Sequence, residues 1–492
     1  MNAAGNPLAV ADINDRRRLG RMLAVLLVAP FLAQADVTIV NVATPAIHIG
    51  LGASGAALEL VVGGYLVAFA VLLVTGARLG QARGYRRMFL LGLALFGLAS
   101  LTCGLAQSPL MLVIARAVQG AAAAAMFPQA LSGIQLHFQD GARARAIGLF
   151  TATLSTGAVA GQIAGGALVS ADIAGIGWRS VFLVNVPVTA IALAAGQRVL
   201  PADEQYHPQR LDLAGVMTLA AALLLLMVPL ALGRSTGWPP WTWACLAASA
   251  PALWLFITIE RHRTGGSADR RIGPLLNIRL VQRPDLASAL ITLLATSGTY
   301  FALLFTLAQY LQHGLHYTAL SSGLTLVPWV AAFGVAGLLM RRLHATPARL
   351  APAAGGLLLA LAYTGISLLL LTAGHLEIPL ILIMGVGGFG LGIAYNSLIA
   401  HLTSRAPPGY AADISGVSTT IGQIGGALGV AGFGTLYFGL ATGGSVRTTS
   451  IHAFAVTTAA FAAVAALSTV TAWLTTHSRP DGDRSAPVPE GQ

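Results

Sequence analysis

Long apolar runs of about twenty to thirty residues follow one another along almost the whole chain, separated by short polar breaks. Two of them, Leu213 to Leu232 and Ile451 to Leu474, contain no Asp, Glu, Lys or Arg. Strands of a membrane barrel alternate apolar and polar positions over about ten residues. Unbroken runs of this length predict helices that close their own backbone hydrogen bonds in lipid. Fourteen spans are expected, at 22–47, 57–77, 88–107, 110–133, 146–170, 180–200, 211–233, 241–259, 286–311, 321–340, 350–373, 378–400, 414–440 and 451–475. Each is of the order of the ~20 residues that cross ~30 Å of hydrocarbon. The predicted class is an all-α integral membrane protein.

Composition agrees. The 492 residues are 56% hydrophobic and 9% charged, against about 25% charged in soluble domains, and the mean hydropathy is +0.75. The N-terminal Arg16 to Arg18, the apolar Met22 to Leu32 and then Ala33-Gln34-Ala35 have the outline of a secretory signal. The apolar run continues to Ile47, so a retained first span is expected instead. Cys103 and Cys245 both lie in apolar spans, without metal or disulfide spacing.

The net charge of +11 comes from Arg alone, with no Lys anywhere. A phosphate-binding P-loop needs a Lys, so this chain by itself is not expected to hydrolyse ATP. The Arg residues cluster between spans rather than forming a nucleic-acid face. With the N-terminus placed in the cytoplasm, only Arg179, Arg234 and Arg447 fall on the outer side and Arg116 inside a span; all others face inward. This bias predicts cytoplasmic N- and C-termini in a multi-pass cell-membrane protein. Trp238, Trp241 and Trp243 suit an outer aromatic belt.

The expected organisation is a disordered cytoplasmic segment 1–20, a six-helix bundle 21–200, two additional helices in 201–262, a cytoplasmic loop 263–285, a second six-helix bundle 286–475 and a disordered tail 476–492. An internal echo supports two halves. GQIAGGAL from Gly161 and GQIGGAL from Gly422 each follow a Ser-Thr pair, Ser155-Thr156 and Ser418-Thr419. Repeated halves place a transporter's substrate site at their interface near the midplane.

Three ionisable groups lie inside spans. Asp36 falls ~16 Å and Arg116 ~9 Å from their outer ends at 1.5 Å per residue, with Glu59 at the outer start of the second span. An intramembrane acid is expensive and functional by default. Asp36 is therefore the leading proton carrier, Arg116 a charge that tunes it, and Glu59 a second acid. A structural carboxylate, a snorkelling Arg and a solvated helix-end acid are the bland readings of the three. Gly157, Gly161 and Gly165 repeat every four residues on one helix face, followed by Gly166, which predicts close helix packing. Gly385, Gly387 and Gly390 match a dinucleotide-loop spacing but lie inside an apolar span with no preceding strand. Gln34, Tyr65, Gln119, Gln129, Tyr300, Gln309, Tyr310, Trp329, Tyr395 and Asn396 are polar or aromatic positions within spans that suit a cavity lining. His313 and His316 lie near an outer end. The His and Cys residues form no metal-binding pattern and no cofactor is expected.

At these residues the chain resembles the major facilitator superfamily, specifically its fourteen-span drug:proton antiporters. ADVTIVNVATPAI from Ala35 resembles that family's first-span motif, and ARLGQARGYRR from Ala77 its cytoplasmic loop motif, with Gly84, Arg86 and Arg87. ARAVQG from Ala115, GAVAGQIAGG from Gly157 and WRSVFLVNVP from Trp178 are similar to its fourth-span, antiporter and sixth-span motifs. The resemblance implies two six-helix bundles plus two extra helices. It further implies proton-coupled export of amphipathic small molecules through Asp36, Arg116 and Glu59 by a monomer. Two departures stand out: Gln81 replaces the loop motif's Asp, and Gln162 replaces the antiporter motif's Pro. A metabolite importer or facilitator on the same fold is the alternative reading, and a membrane-embedded sensor or enzyme a remote one.

Overall fold

The computed structural model describes residues 7–202, 212–234, 236–264, 284–340, 350–404, 411–442 and 445–477. Fourteen helices among these are long and apolar enough to cross a membrane, and no strand occurs among the described residues. They are α1 (Pro7–Leu51), α2 (Gly55–Arg83), α3 (Tyr85–Gly104), α4 (Pro109–His137), α5 (Asp140–Ala171), α6 (Gly177–Val199), α7 (Leu213–Gly233) and α8 (Pro240–Thr264). The series continues with α9 (Pro284–Gln309), α10 (Ala319–Met340), α11 (Ala351–Thr372), α12 (Glu377–Ser404), α13 (Ala411–Leu440) and α14 (Val446–His477). The end of the bundle where α1 starts is called the near end, and the opposite end the far end.

Local chemistry sets several boundaries. The Ser54 hydroxyl accepts the Ala57 N–H at 3.2 Å and starts α2. Ser108 does the same for Met111, with Pro109 as the first residue of α4, where its missing N–H is harmless. Gly84 joins α2 to α3 at φ +96°, a conformation a side chain would strain. Of the segment 1–20 expected to be disordered, residues 1–6 lie outside the described residues and residues 7–20 are the start of α1. Extending a helix already nucleated in the apolar span is easy, and Arg and Leu are good helix formers. The loop 265–283 and residues 478–492 lie outside the described residues.

Within α1–α6 the main contacts are α1 on α5, α2 on α4, and α3 on both α4 and α6. Within α9–α14, α9 packs on α13 and α14, α10 on α12, and α11 on α12 and α14. The two groups meet along α2–α13 and α5–α10. The α7–α8 hairpin lies against α2 and α13 at the first of these seams. Asp212 caps α7 by accepting the Gly215 N–H at 2.6 Å and forms an ion pair with Arg263 of α8.

At the far end the groups are tied directly. Gln309 donates to the Thr44 hydroxyl at 3.1 Å, Gln312 to the Val42 carbonyl at 2.9 Å, and the Leu320 N–H to the Ser170 hydroxyl at 3.0 Å. A π-helical turn, Tyr310–Gly314, ends α9 here, and His313 on it meets His48 of α1 edge-on at 4.9 Å.

Candidate functional site: a charge pair sealed inside the first half

Asp36 and Arg116 are each 1% exposed and form an ion pair between α1 and α4. A glycine makes this possible. Gly120, one turn beyond Arg116, leaves α4 so near α2 that an added Cβ would sit 3.0 Å from the Tyr65 Cα. The Arg116 side chain then reaches over α2. Its Nε donates to the Val61 carbonyl at 3.2 Å, and its guanidinium lies 4.4 Å from the Tyr65 ring centre. One of its terminal N–H groups also donates to Gln119 Oε1 at 2.7 Å. Tyr65 is itself fixed by its hydroxyl, which donates to the Ala33 carbonyl at 3.2 Å.

The other Asp36 oxygen accepts from Gln119 Nε2 at 2.8 Å and from Asn185 Nδ2 at 3.1 Å. Both amides also donate to the Ser100 hydroxyl, at 2.7 and 3.4 Å. Five helices thus contribute to one buried network. Removing one partner of a buried pair leaves an uncompensated charge and destabilises by about 3–5 kcal/mol. Arg116 is unusual in keeping a carbonyl, an amide oxygen and an aromatic face as partners that do not depend on Asp36. Neutralising the carboxylate would therefore leave the guanidinium hydrogen-bonded, though without its counter-charge.

Sequence reasoning named Asp36, Arg116, Tyr65 and Gln119, and the structure brings these together. It missed Ser100 and Asn185. Asn185 lies within the quoted sixth-span motif, and an Asn inside an apolar span was the available signal. Glu59, although also 1% exposed, stands apart from this network. It faces the seam, where the Thr435 hydroxyl of α13 lies 3.2 Å from Oε2 and also donates to the Leu230 carbonyl of α7 at 2.8 Å.

Several residues expected to line a substrate cavity are instead fully buried within one half. Tyr65 and Gln119 belong to the charge network. Gln129 donates to the Gly76 carbonyl at 2.7 Å. Tyr310 bonds His375 at 2.9 Å and stacks on Phe454. Trp329 stacks on Tyr363 with centroids 5.6 Å apart. The physical reason is that polar and aromatic groups in lipid are first used to join helices. Gln34, Tyr300, Tyr395 and Asn396 are half-buried, and Gln309 crosses between the halves. In the loop motif, Gly84 is buried, Arg86 donates to the Gln197 carbonyl at 2.7 Å, and Arg87 and Gln81 are exposed. In the antiporter motif, an added Cβ at Gly157 would lie 2.9 Å from the Phe31 carbonyl oxygen, and one at Gly165 3.0 Å from that of Ile39. Gly161 faces Ala35 and Thr38 of the same helix, and an added Cβ at Gly166 would instead lie 2.7 Å from the Ala319 carbonyl oxygen of α10.

A family model described as Major Facilitator Superfamily matches residues 26–430. The chain belongs to the Major Facilitator Superfamily. It is 35% identical over 442 residues to a Streptomyces coelicolor protein named probable actinorhodin transporter, covering 87% of this chain and 74% of that protein. It is 34% identical over 478 residues to the puromycin resistance protein pur8 of Streptomyces alboniger, covering 93% and 91%. Among solved structures, a bacterial homologue of the human lysosomal transporter Spinster, inward-facing and unoccupied, superposes with a TM-score of 0.65 at 16% identity, covering 93% of this chain and 97% of that one. That likeness concerns the fold. As a member of this superfamily the chain is a membrane transporter of small molecules and not an enzyme.

Proposed function

We propose that this superfamily member is a proton-coupled exporter of amphipathic organic compounds, acting as a monomer in the cell membrane with its near end in the cytoplasm. The near-end placement rests on arginine. Arg17, Arg18, Arg21, Arg78, Arg83, Arg86, Arg87, Arg143, Arg145, Arg198, Arg261 and Arg263 all lie at near ends of helices, whereas Arg179, Arg234 and Arg447 lie at far ends. Export is favoured by the relatives' printed names, which include a puromycin resistance protein and a cephamycin export protein.

The observation that carries proton coupling is the Asp36–Arg116 pair, closed inside one half while Arg116 retains other partners. With the far end tied shut, Asp36 is the ionised partner of Arg116, the form in which the transporter takes up substrate from the cytoplasm. After the halves tilt, a proton from outside neutralises Asp36, and Arg116 rests on Val61, Gln119 and Tyr65. Substrate leaves, and the return tilt delivers the proton inward. Glu59, Thr435 and Leu230 belong in this scheme to the seam that rearranges, not to the proton carrier.

The test is transport of ethidium in sealed proteoliposomes with an imposed pH gradient. Wild-type protein moves the dye against its gradient, and Asp36→Asn does not. Undiminished gradient-driven transport by that variant removes Asp36 from the mechanism, and gradient-driven uptake in the opposite sense favours an importer.

A further inference from the structure

Every hydrogen bond that the Asp36 side chain makes is one it accepts. Arg116 donates to one oxygen, and Gln119 Nε2 and Asn185 Nδ2 donate to the other at 2.8 and 3.1 Å. The network itself fixes how the first amide is turned. A guanidinium has no acceptor, so Gln119 must point its oxygen at Arg116, 2.7 Å away. Its nitrogen is then left for Asp36 and for the Ser100 hydroxyl at 2.7 Å. The cage matches an ionised carboxylate, which only accepts.

A protonated Asp36 needs the opposite, because its new O–H must donate. Most of its surroundings have nothing to accept with. Arg116 is a donor only. The Gln119 oxygen is taken by Arg116 and by the Cys103 thiol, which donates at 3.6 Å. The two lone pairs of the Ser100 hydroxyl receive amide N–H groups, from Gln119 at 2.7 Å and from Asn185 at 3.4 Å. Tyr65, the remaining titratable group beside the pair, directs its hydroxyl to the Ala33 carbonyl at 3.2 Å. A buried O–H without an acceptor is strongly disfavoured.

Asn185 is the exception. No hydrogen bond among the described residues holds its Oδ1, and the residue is 5% exposed where Asp36 is 1%. Half a turn about the last bond of its side chain places Oδ1 where Nδ2 now sits. That oxygen then accepts the Asp36 O–H and, once the Ser100 hydroxyl has rotated, the Ser100 O–H as well. The protonated Asp36 oxygen still accepts from Gln119, and Arg116 keeps its bonds to Val61 and Gln119.

We propose that Asn185 is the proton-dependent switch of this network, offering N–H to the Asp36 carboxylate and its own oxygen to the carboxylic acid. It is a positioning residue: the proton sits on Asp36, and Asn185 decides which oxygen carries it. The inference deepens the proton-coupled reading above and rests on it. It adds that α6 is the helix that registers the charge state of α1.

The test is difference infrared spectroscopy of the full-length protein in lipid, carrying carbon-13 at the side-chain carbonyl of asparagine, as the buffer is taken from alkaline to acidic. Wild-type protein gains a carboxylic-acid carbonyl band that is missing in Asp36→Asn. With it, one labelled amide carbonyl band shifts, and that shift is also missing in Asp36→Asn. Asn185→Leu, or Asn185→Ser where the Leu variant does not fold, keeps the acid band and loses the amide shift. An Asp36-dependent acid band with no movement of a labelled amide overturns the proposal alone, as does an amide shift that survives replacement of Asn185. Absence of any Asp36-dependent acid band overturns the proton-coupled reading and the proposal with it.

Discussion

In the first half of the molecule Gly157 and Gly165 bring α5 onto the backbone of α1. In the second, Gly425 and Gly429 bring α13 onto Leu294 and Gly298 of α9. The helix approach is the same, and the echoed Gly-rich segments produce it. The interiors differ. The first half encloses Asp36, Arg116, Gln119, Ser100 and Asn185. The second encloses Trp329, Tyr363 and Phe461 in ring contact, and Phe454 stacked on Tyr310. Every buried charged residue among the described ones belongs to the first half or to the α7–α8 hairpin. One backbone plan thus carries a buried charge network on one side and a cluster of aromatic rings on the other.

The largest effect that would break this contrast concerns coupling. Asp36→Asn should abolish gradient-driven transport and destabilise the protein by about 3 kcal/mol, since Arg116 loses its carboxylate partner. Denaturant unfolding in detergent measures the second quantity. Adding Arg116→Gln should recover much of that stability while transport stays lost. Trp329→Ala should cost a similar 3–5 kcal/mol by opening a cavity, yet leave the proton-to-substrate ratio of surviving transport unchanged. A changed ratio would mean that the aromatic half shares in coupling.

Asn185→Leu sharpens the comparison at a smaller scale. It removes one of the two amide donors to an Asp36 oxygen. Gradient-driven transport should slow by about tenfold, whereas gradient-free exchange of labelled substrate should change little.

The smallest effect lies at the far end of the aromatic half. His375, in the loop between α11 and α12, bonds Tyr310 through Nδ1 and Tyr317 through Nε2. Burial pushes its pKa below the ordinary 6.5, against the pull of nearby Glu377 and with help from Arg447. The unfolded chain then binds the proton more readily. Stability is full above about 6.5 and declines as pH falls from there through the lower folded value. Melting between pH 7.5 and 5 should fall more for wild type than for His375→Gln, by under about 1 kcal/mol given the partial exposure.

The fourteen spans were legible because lipid allows a chain of this hydropathy few alternatives. The clustering of Arg between spans and the Gly spacing in α5 were likewise local patterns. The association of Asp36 with Arg116 could be anticipated only from depth along two helices. Asn185 is not legible as a site residue because the sequence does not show which way its helix is rotated, and only the fold turns it toward Asp36. Gln129, Tyr310 and Trp329 depart from the expected lining because polarity in a span does not reveal which neighbour a side chain faces.

What the sequence determined by itself is the number of crossings, the sidedness bias of Arg and the presence of costly charges in an apolar setting, since each follows from composition along one dimension. What only the tertiary structure decided is which of those charges meet. Glu59 and Asp36 are both acids in neighbouring spans, and the sequence separates them by depth alone. Helix rotation turns one toward Arg116 and the other toward Thr435 of the opposite half, and a rotation of one helix against its neighbours is set by packing that no single segment encodes.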